Sequence, residues 1–300
     1  MMLEVKNLIV KYKGIVAVDN ISFQVKEGEI FSIIGPNGAG KTSTIESIVG
    51  LKKNYEGNIT VLGTEVRNFK KNIYNLIGVQ LQEASFPDKL KVGEICDLFS
   101  SLYENPIDYK NLLEKFQMKK KVNCYIRELS GGQKQKLSII LALLPDPEII
   151  FLDELTTGLD PQARRSIWTI IKNLKDKNKT IILSTHFMDE AEYLSDTICI
   201  LIDGKIRSLG GLGDILLENN MEEKVSFNTS DDINLDFNNT ISIKREGRTV
   251  KVWGRSGENL TTDILRYLND NNIKYDNLIC ERPKLEDVFL KITDCRMEDI

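Results

Sequence analysis

The sequence lacks the features that mark secreted, membrane-spanning and nucleic-acid-binding chains. Its five cysteines form no Cys-x-x-Cys pair and no N-terminal signal pattern is present, so we expect reduced thiols in a cytosolic protein. The longest apolar stretches, SIILALL and ICILI, fall far short of the ~20 residues of a membrane span, and we expect no membrane crossing. With a net charge of −4 there is no basic excess, which argues against a nucleic-acid partner.

What the sequence does contain is an alternation of apolar strands and helices. Four apolar runs without polar alternation predict buried strands of a parallel sheet covered on both faces; they span residues 29–34, 148–152, 180–184 and 196–202. Pro161 predicts the start of a helix that runs to about residue 174. Residues 92–127 look mainly helical and predict a helical lobe, at about 92–140, inserted into this core.

The pattern changes after about residue 220. Short alternating segments at 224–227, 241–244 and 249–253, followed by a helix near 260–268, predict a separate small domain. The predicted fold class is therefore α/β: a core of parallel strands and helices with an inserted helical lobe and a small C-terminal α+β domain. The predicted boundaries are 1–219 for the core domain and 220–300 for an accessory domain.

A glycine-rich turn lies between the first of these strands and a predicted helix. Its residues fit the phosphate-loop pattern G-x-x-x-x-G-K-[ST]; they are Gly35, Pro36, Asn37, Gly38, Ala39, Gly40, Lys41 and Thr42. Glycines let backbone N–H groups point at phosphate oxygens, and the helix N-terminus adds partial positive charge. Lys41 is expected to reach the β- and γ-phosphates, and the Thr42 hydroxyl to join the shell of a Mg²⁺ ion. The 1–219 domain is therefore predicted to be a nucleotide-binding domain with a P-loop NTPase core.

Three further residues have the chemistry for ATP hydrolysis. Asp153 and Glu154 stand at the end of the second predicted strand; Asp153 suits the Mg²⁺ side and Glu154 suits the group that polarises the attacking water. His186, the only histidine of the chain, follows another strand at the sheet edge where open α/β sheets bind ligands. A capping acidic pair and an ordinary core histidine are the alternatives for these positions.

The stretch LSGGQ, residues 129–133, lies between the phosphate loop and the acidic strand end. The turn cannot serve the nucleotide that its own chain binds. It becomes useful when two copies pair, because each copy then offers its turn to the nucleotide of the other. This order of motifs therefore indicates an ATPase that works as a pair.

Together these motifs make the chain, over about residues 1–216, resemble the ATP-binding subunit of an ATP-binding cassette (ABC) transporter. The resemblance assigns the phosphate loop to Walker A, 149–153 to Walker B, 129–133 to the signature, 158–160 to the D-loop, Gln82 to the Q-loop and His186 to the switch histidine. Gln80 lies near the Q-loop position, but the residues after Gln82 fit the family better. Tyr12 stands where the family stacks an aromatic ring on adenine; an edge-strand tyrosine is the alternative.

The resemblance implies a set of site residues and ligands. Catalysis would involve Glu154, His186 and Gln82. Nucleotide contacts would come from Tyr12, the phosphate loop, Ser43, Ser130, Gly131, Gly132 and Gln133. Mg²⁺ would be held by Thr42, Gln82 and Asp153. One departure is Leu155, where the family usually has proline, and it puts the rigidity of this loop in doubt.

The resemblance also implies partners and a location. The tail PKLEDVFL, 283–290, looks like that of ABC-2-type exporters, although an amphipathic terminal helix explains it too. We expect a second nucleotide-binding subunit and transmembrane permease subunits, with the chain peripheral on the cytoplasmic face of the cell membrane. ATP-dependent closure of the pair would drive export of a small molecule or peptide. A soluble ABC ATPase with a scaffold or regulatory role is the alternative.

Overall fold

The computed structural model describes residues 1–81, 86–233, 240–255 and 260–294, and the chain divides into two compact units, Met1–Leu209 and Gly210–Ile300. The division falls earlier than the predicted boundary near residue 219. Among the described helices, none combines the length and the apolar character needed to cross a membrane.

The first unit is built from both strands and helices. Its strands are β1 (Leu3–Tyr12), β2 (Ile15–Val25), β3 (Ile30–Ile34), β4 (Glu56–Val61), β5 (Thr64–Glu65), β6 (Ile77–Gln80), β7 (Ile149–Asp153), β8 (Thr180–Thr185), β9 (Thr197–Ile202) and β10 (Lys205–Gly210). Its α-helices are α1 (Lys41–Ile48), α2 (Val92–Ser100), α3 (Tyr109–Lys115), α4 (Gly131–Leu143), α5 (Pro161–Lys175) and α6 (Met188–Leu194).

The central sheet has six strands in the order β10-β9-β3-β8-β7-β6. The pairs β3–β8, β3–β9, β6–β7 and β7–β8 are parallel, and every residue of β3, β7 and β8 is buried. Strands covered on both faces have no reason to alternate with polar residues. The prediction of a buried parallel sheet is confirmed, and it places the carboxyl ends of β3, β7 and β8 side by side.

A second, antiparallel sheet in the order β2-β1-β4-β5 was not predicted from the sequence. The register of β1 against β2 shifts three times, between Val5 and Leu8, between Leu8 and Val10, and between Val10 and Lys11. The buried positions are Leu3 and Val5 before the first shift and Leu8 and Val10 after it, so the period-2 pattern is interrupted within the strand. Strand β1 ends at Tyr12.

The region predicted as helical contains α2, α3 and the start of α4, joined by short 3₁₀ turns. Asp108 accepts a hydrogen bond from the backbone of Lys110 and caps α3. Leu113, Phe116 and Leu137 pack into one core with β7 and β8 residues. The lobe therefore rests on the sheet through apolar side chains.

The second unit contains α7 (Leu212–Glu218), β11 (Glu222–Asn228), β12 (Thr240–Glu246), β13 (Thr249–Arg255), α8 (Leu260–Asp270), β14 (Asp276–Glu281) and α9 (Leu285–Asp294). Its antiparallel sheet has the order β12-β13-β11-β14. One face of β11 and β13, with Val225, Phe227 and Val252, packs on Ile264 and Leu268 of α8. The alternation predicted for 224–227 and 249–253 is the inside–outside alternation of β11 and β13, whereas 241–244 lies in β12 and is exposed on both faces.

Candidate functional site

The glycine-rich turn lies at the carboxyl end of β3 and leads directly into α1. Gly40 has a φ of 100°, and a Cβ there would lie 2.4 Å from the carbonyl oxygen of Ala17, so only glycine fits. Within the described residues, no side chain caps the start of α1. Its first N–H groups therefore suit an anion, because helix N-termini carry unpaired donors and partial positive charge.

Lys41 reaches back over this turn. Its Nζ donates to the carbonyl oxygens of Gly35, at 3.0 Å, and Pro36, at 3.1 Å, and lies 3.3 Å from Oε1 of Glu154. The side chain is only 4% exposed. Phosphate oxygens entering the turn would take over these contacts with the ammonium group.

Asp153 ends β7 beside the turn. Its Oδ1 accepts a hydrogen bond from the Ser184 hydroxyl of the neighbouring strand β8, while Oδ2 is buried and has no hydrogen-bond partner among the described residues. Burial raises the pKa of this carboxyl, and the hydroxyls of Ser184 and Thr42 oppose that rise. A buried carboxylate oxygen of this kind, close to the Thr42 hydroxyl, is suited to a hydrated cation.

Glu154 follows with a φ of 48°, in the left-handed region. Such a backbone costs about 1–2 kcal/mol in a residue with a Cβ, and it turns the side chain away from the alternation of β7. Two bonds hold it, because its N–H donates to both the carbonyl and the hydroxyl oxygen of Ser184, each at 3.1 Å. Nδ1 of His186 lies 3.6 Å from Glu154 Oε2. Two other predicted residues, Lys41 and His186, therefore both lie next to the Glu154 carboxylate.

Leu155, at the position where the family usually has proline, is held by packing. Leu155 is 3% exposed and belongs to the apolar core that covers the sheet and the helical lobe. The backbone N–H of Thr157 donates to the Glu154 carbonyl at 3.3 Å. Packing of the leucine side chain thus anchors the loop where the ring of a proline is absent.

Tyr12 lies at the edge of this region. Its hydroxyl is 3.1 Å from that of Ser43 in α1, and the Nζ of Lys52 lies 3.3 Å from the centre of its ring. Tyr12 is 42% exposed, so a flat ligand has access to it.

The LSGGQ turn begins α4. The backbone N–H of Ser130 donates to the Gln133 side chain at 3.1 Å, and the N–H of Gln133 donates to the Ser130 hydroxyl at 3.4 Å, which forms a capping box. A Cβ on Gly132 would lie 3.1 Å from that of Ala163 in α5. Among the described residues, Ser130 and Gln133 thus bond to each other, and the side chains that face Gly131 and Gly132 belong to Leu159 and Ala163.

Two glutamines and a serine remain to be placed relative to the predicted site. Gln82 lies outside the described residues. Gln80, at the end of β6, donates from Nε2 to the carbonyl of Leu81 at 2.7 Å, and its buried Oε1 has no partner in the described ranges. Sequence reasoning missed Ser184, which bonds both acidic residues; the signal was its place at the end of a strand beside β7.

The loop on a parallel sheet, the buried lysine and the acidic strand end define a phosphate-loop ATPase. A family described as ABC transporter matches residues 18–157. The Nod factor export ATP-binding protein I of Burkholderia orbicola (strain AU 1054) is 32% identical over 319 residues, covering 99% of this chain and 98% of that protein. The protein of the same name from Rhizobium etli (strain ATCC 51251 / DSM 11541 / JCM 21823 / NBRC 15573 / CFN 42) is 34% identical and covers 94% of this chain and 90% of its own.

Solved structures agree with these relatives. The structure of an ATP-binding subunit of an ABC transporter has a TM-score of 0.65 at 30% identity, covering 72% of this chain and 92% of that one. A dimeric post-hydrolysis state of an ATP-binding cassette bound to ADP and Pi has a TM-score of 0.64 at 27% identity, covering 70% and 98%. The chain belongs to the ABC transporter family and is one of its ATP-binding subunits, an ATPase coupled to transport.

Proposed function

We propose that this subunit powers an exporter by closing around ATP together with a second nucleotide-binding subunit and opening after hydrolysis. The observation that carries the proposal is the meeting of Lys41, Glu154 and His186 at the phosphate loop. Relatives named as export ATP-binding proteins match nearly the whole chain, which supports export. The cargo class we propose is a small molecule or peptide.

In this proposal each residue at the loop has one task. The backbone of the loop and Lys41 bind the phosphates, and Glu154 accepts a proton from the attacking water. His186 contacts the γ-phosphate and holds the water in line. The 3.6 Å between His186 Nδ1 and Glu154 Oε2 leaves both groups facing the same space, and a general base in such a position contributes about 10²–10⁴-fold in rate.

We propose Mg²⁺ as the cofactor on the Asp153 side. The buried Oδ2 of Asp153 and the nearby Thr42 hydroxyl fit an ion that keeps several waters and takes one or two carboxylates. When bound, Mg²⁺ neutralises charge on the β- and γ-phosphate oxygens. Gln82 is proposed as a further ligand.

Each complete site is proposed to need two chains. The start of α4 is formed by Ser130, Gly131, Gly132 and Gln133, where the positive end of the helix dipole suits an anion, and the side chains that face the two glycines are Leu159 and Ala163. A partner's nucleotide would meet this turn. The partner is therefore a second nucleotide-binding subunit, identical or related.

A groove on the first unit is proposed as the docking site for a transmembrane permease. It encloses about 610 Å³ and is lined mainly by apolar side chains of β6, α2 and α4, including Val79, Leu98 and Leu141. Leu98 is 53% exposed, and an exposed apolar surface of this kind marks an interaction site. The subunit would then sit at the cytoplasmic face of the cell membrane, and residues 220–300 would be an accessory domain to the 1–219 cassette.

The experiment that tests the two-chain site is ATP hydrolysis measured against protein concentration, with the chain alone and Mg²⁺ present. We expect specific activity to rise with concentration, because each site borrows the Ser130 turn of another chain. A specific activity independent of concentration, in a protein that sedimentation shows to be monomeric, would contradict the two-chain site.

Replacing Tyr12 by alanine tests the proposed adenine contact. Base–aromatic stacking is worth about 1–3 kcal/mol, so we expect the ATP dissociation constant to rise about 5- to 150-fold. Tyr12→Phe keeps the ring and loses only the contact with Ser43, so it should bind ATP nearly as the parent does. Equal affinities for the alanine and phenylalanine variants, measured with a fluorescent ATP analogue, would refute base stacking.

A further inference from the structure

Glu190 is a buried carboxyl that the site described above does not use. It lies in α6, four residues after His186, and only 2% of it is exposed. A carboxyl is retained in such a place only when several groups bond to it, since burying it unpaired is costly.

One side chain of a neighbouring helix bonds directly to this carboxyl. The indole N–H of Trp168 in α5 donates to Glu190 Oε1 at 2.8 Å. Burial raises the pKa of Glu190, and the hydroxyls of Thr185 and Thr156 and the charge of Arg164 oppose the rise. Arg164 precedes Trp168 by one turn of α5. The carboxyl therefore joins α6 to α5 through Trp168.

The same helix, α5, also presses directly on the histidine loop. The guanidinium of Arg164 lies 3.8 Å from the centre of the Phe187 ring, and that ring lies 4.1 Å from the His186 ring. Trp168 stacks on Tyr193 of α6 with ring centres 5.2 Å apart. The position of α5 therefore determines where the His186 ring can lie.

The first turn of α5 reaches the other motif. Asp160 caps this helix by accepting from the N–H of Ala163 at 2.9 Å. A Cβ on Gly132 would lie 3.1 Å from Ala163, and one on Gly131 would lie 3.5 Å from Leu159. The LSGGQ turn thus contacts the first turn of α5 and the 158–160 segment before it, and α5 is the helix whose Trp168 bonds to Glu190.

We propose that Glu190 is a positioning residue that couples the His186 loop of the subunit to the LSGGQ turn that it offers to its partner. On one side it holds the loop of His186, which serves the chain's own nucleotide. On the other it holds α5 through Trp168, next to the turn offered to the partner's nucleotide. This inference rests on the proposed function. Closure at one site would then move His186 at the other through one buried carboxyl.

The test compares Glu190→Ala, Glu190→Gln and Trp168→Phe with Glu192→Ala, a matched control two residues on in α6. The readouts are kcat, the KM for ATP, the Hill coefficient for ATP and the thermal midpoint. A misplacement of about 1 Å at a reacting group can cost about 100-fold, so we expect that loss in kcat for Glu190→Ala.

A positioning role predicts a specific pattern. The KM for ATP should stay within about twofold of the parent value because the phosphate loop is untouched, while the Hill coefficient falls. Glu190→Gln should recover most of kcat, since its amide oxygen can still accept the Trp168 N–H. Trp168→Phe should fall between the two.

Other results would overturn the proposal. One is a kcat and Hill coefficient for Glu190→Ala equal to those of Glu192→Ala. Another is a loss of kcat that follows the thermal midpoint and that glutamine does not recover. If the alanine variant does not fold, an unchanged kcat and Hill coefficient in Trp168→Phe overturn it instead. Failure of the proposed function itself would be seen separately, as an inactive parent or an active Glu154→Gln.

Discussion

Glu154→Gln is expected to lower ATP turnover by about 10²–10⁴-fold, the range for a general base, while ATP binding is retained. Glutamine has nearly the same shape but cannot accept the proton of the attacking water at neutral pH. It also ends the 3.3 Å ion pair with Lys41. The ammonium group is then freer to meet phosphate, so ATP affinity should equal or exceed that of the parent.

The measurement is steady-state phosphate release together with equilibrium binding of a fluorescent ATP analogue. Glu148→Gln is a matched control, because Glu148 directly precedes β7 at the opposite end of the same strand and is exposed. The control should hydrolyse ATP at the parent rate. Turnover by Glu154→Gln within about threefold of the control, far below the general-base effect, would remove Glu154 from the catalytic role.

Lys41→Met is expected to abolish useful ATP binding and to destabilise the nucleotide-free protein. The lysine is the charged donor at the phosphate loop, and its loss leaves two carbonyl oxygens and the Glu154 carboxylate without it. Breaking a buried ion pair by removing one partner costs about 3–5 kcal/mol. We therefore expect the free energy of unfolding to drop by about 3 kcal/mol.

The double variant Lys41→Met with Glu154→Gln separates these two effects. It should regain most of the lost stability, because no unpaired charge remains, yet ATP should still not bind. Urea titration and nucleotide binding report the two quantities, and Lys53→Met, at an exposed position nearby, serves as the control. If the free energy of unfolding of Lys41→Met equals that of Lys53→Met, the Lys41–Glu154 pair contributes little to folding.

Much of this protein follows from local sequence. The buried strands β3, β7 and β8 were predictable because a strand covered on both faces is apolar throughout. The phosphate loop was predictable because it is a contiguous G-x-x-x-x-G-K-[ST] pattern. The structure adds the reason for Gly40, which leaves no room for a Cβ beside Ala17. Their positions at strand ends indicated Glu154 and His186, and the structure places Glu154 next to Lys41 and His186 next to Glu154.

Other features depended on partners far away in the chain. The antiparallel sheet of β1 and β2 was missed, since the register shift between Val5 and Leu8 interrupts the alternation of β1. Ser184 lies about thirty residues from the acidic pair it bonds, and only the pairing of β7 with β8 brings them together. The Gln82 role stays a prediction, as does the part played by the accessory domain.

The sequence by itself determined the chemistry of the subunit: the phosphate loop, the acidic strand end, the lone histidine and the LSGGQ turn are contiguous motifs whose residue types state their ligands. Only the tertiary structure decided how those motifs communicate. Glu190 looks like any helical glutamate in the sequence, and its meaning comes from Trp168, which bonds to it from another helix. Local motifs specify what a residue can do, whereas burial and long-range packing specify which other residues it can act upon.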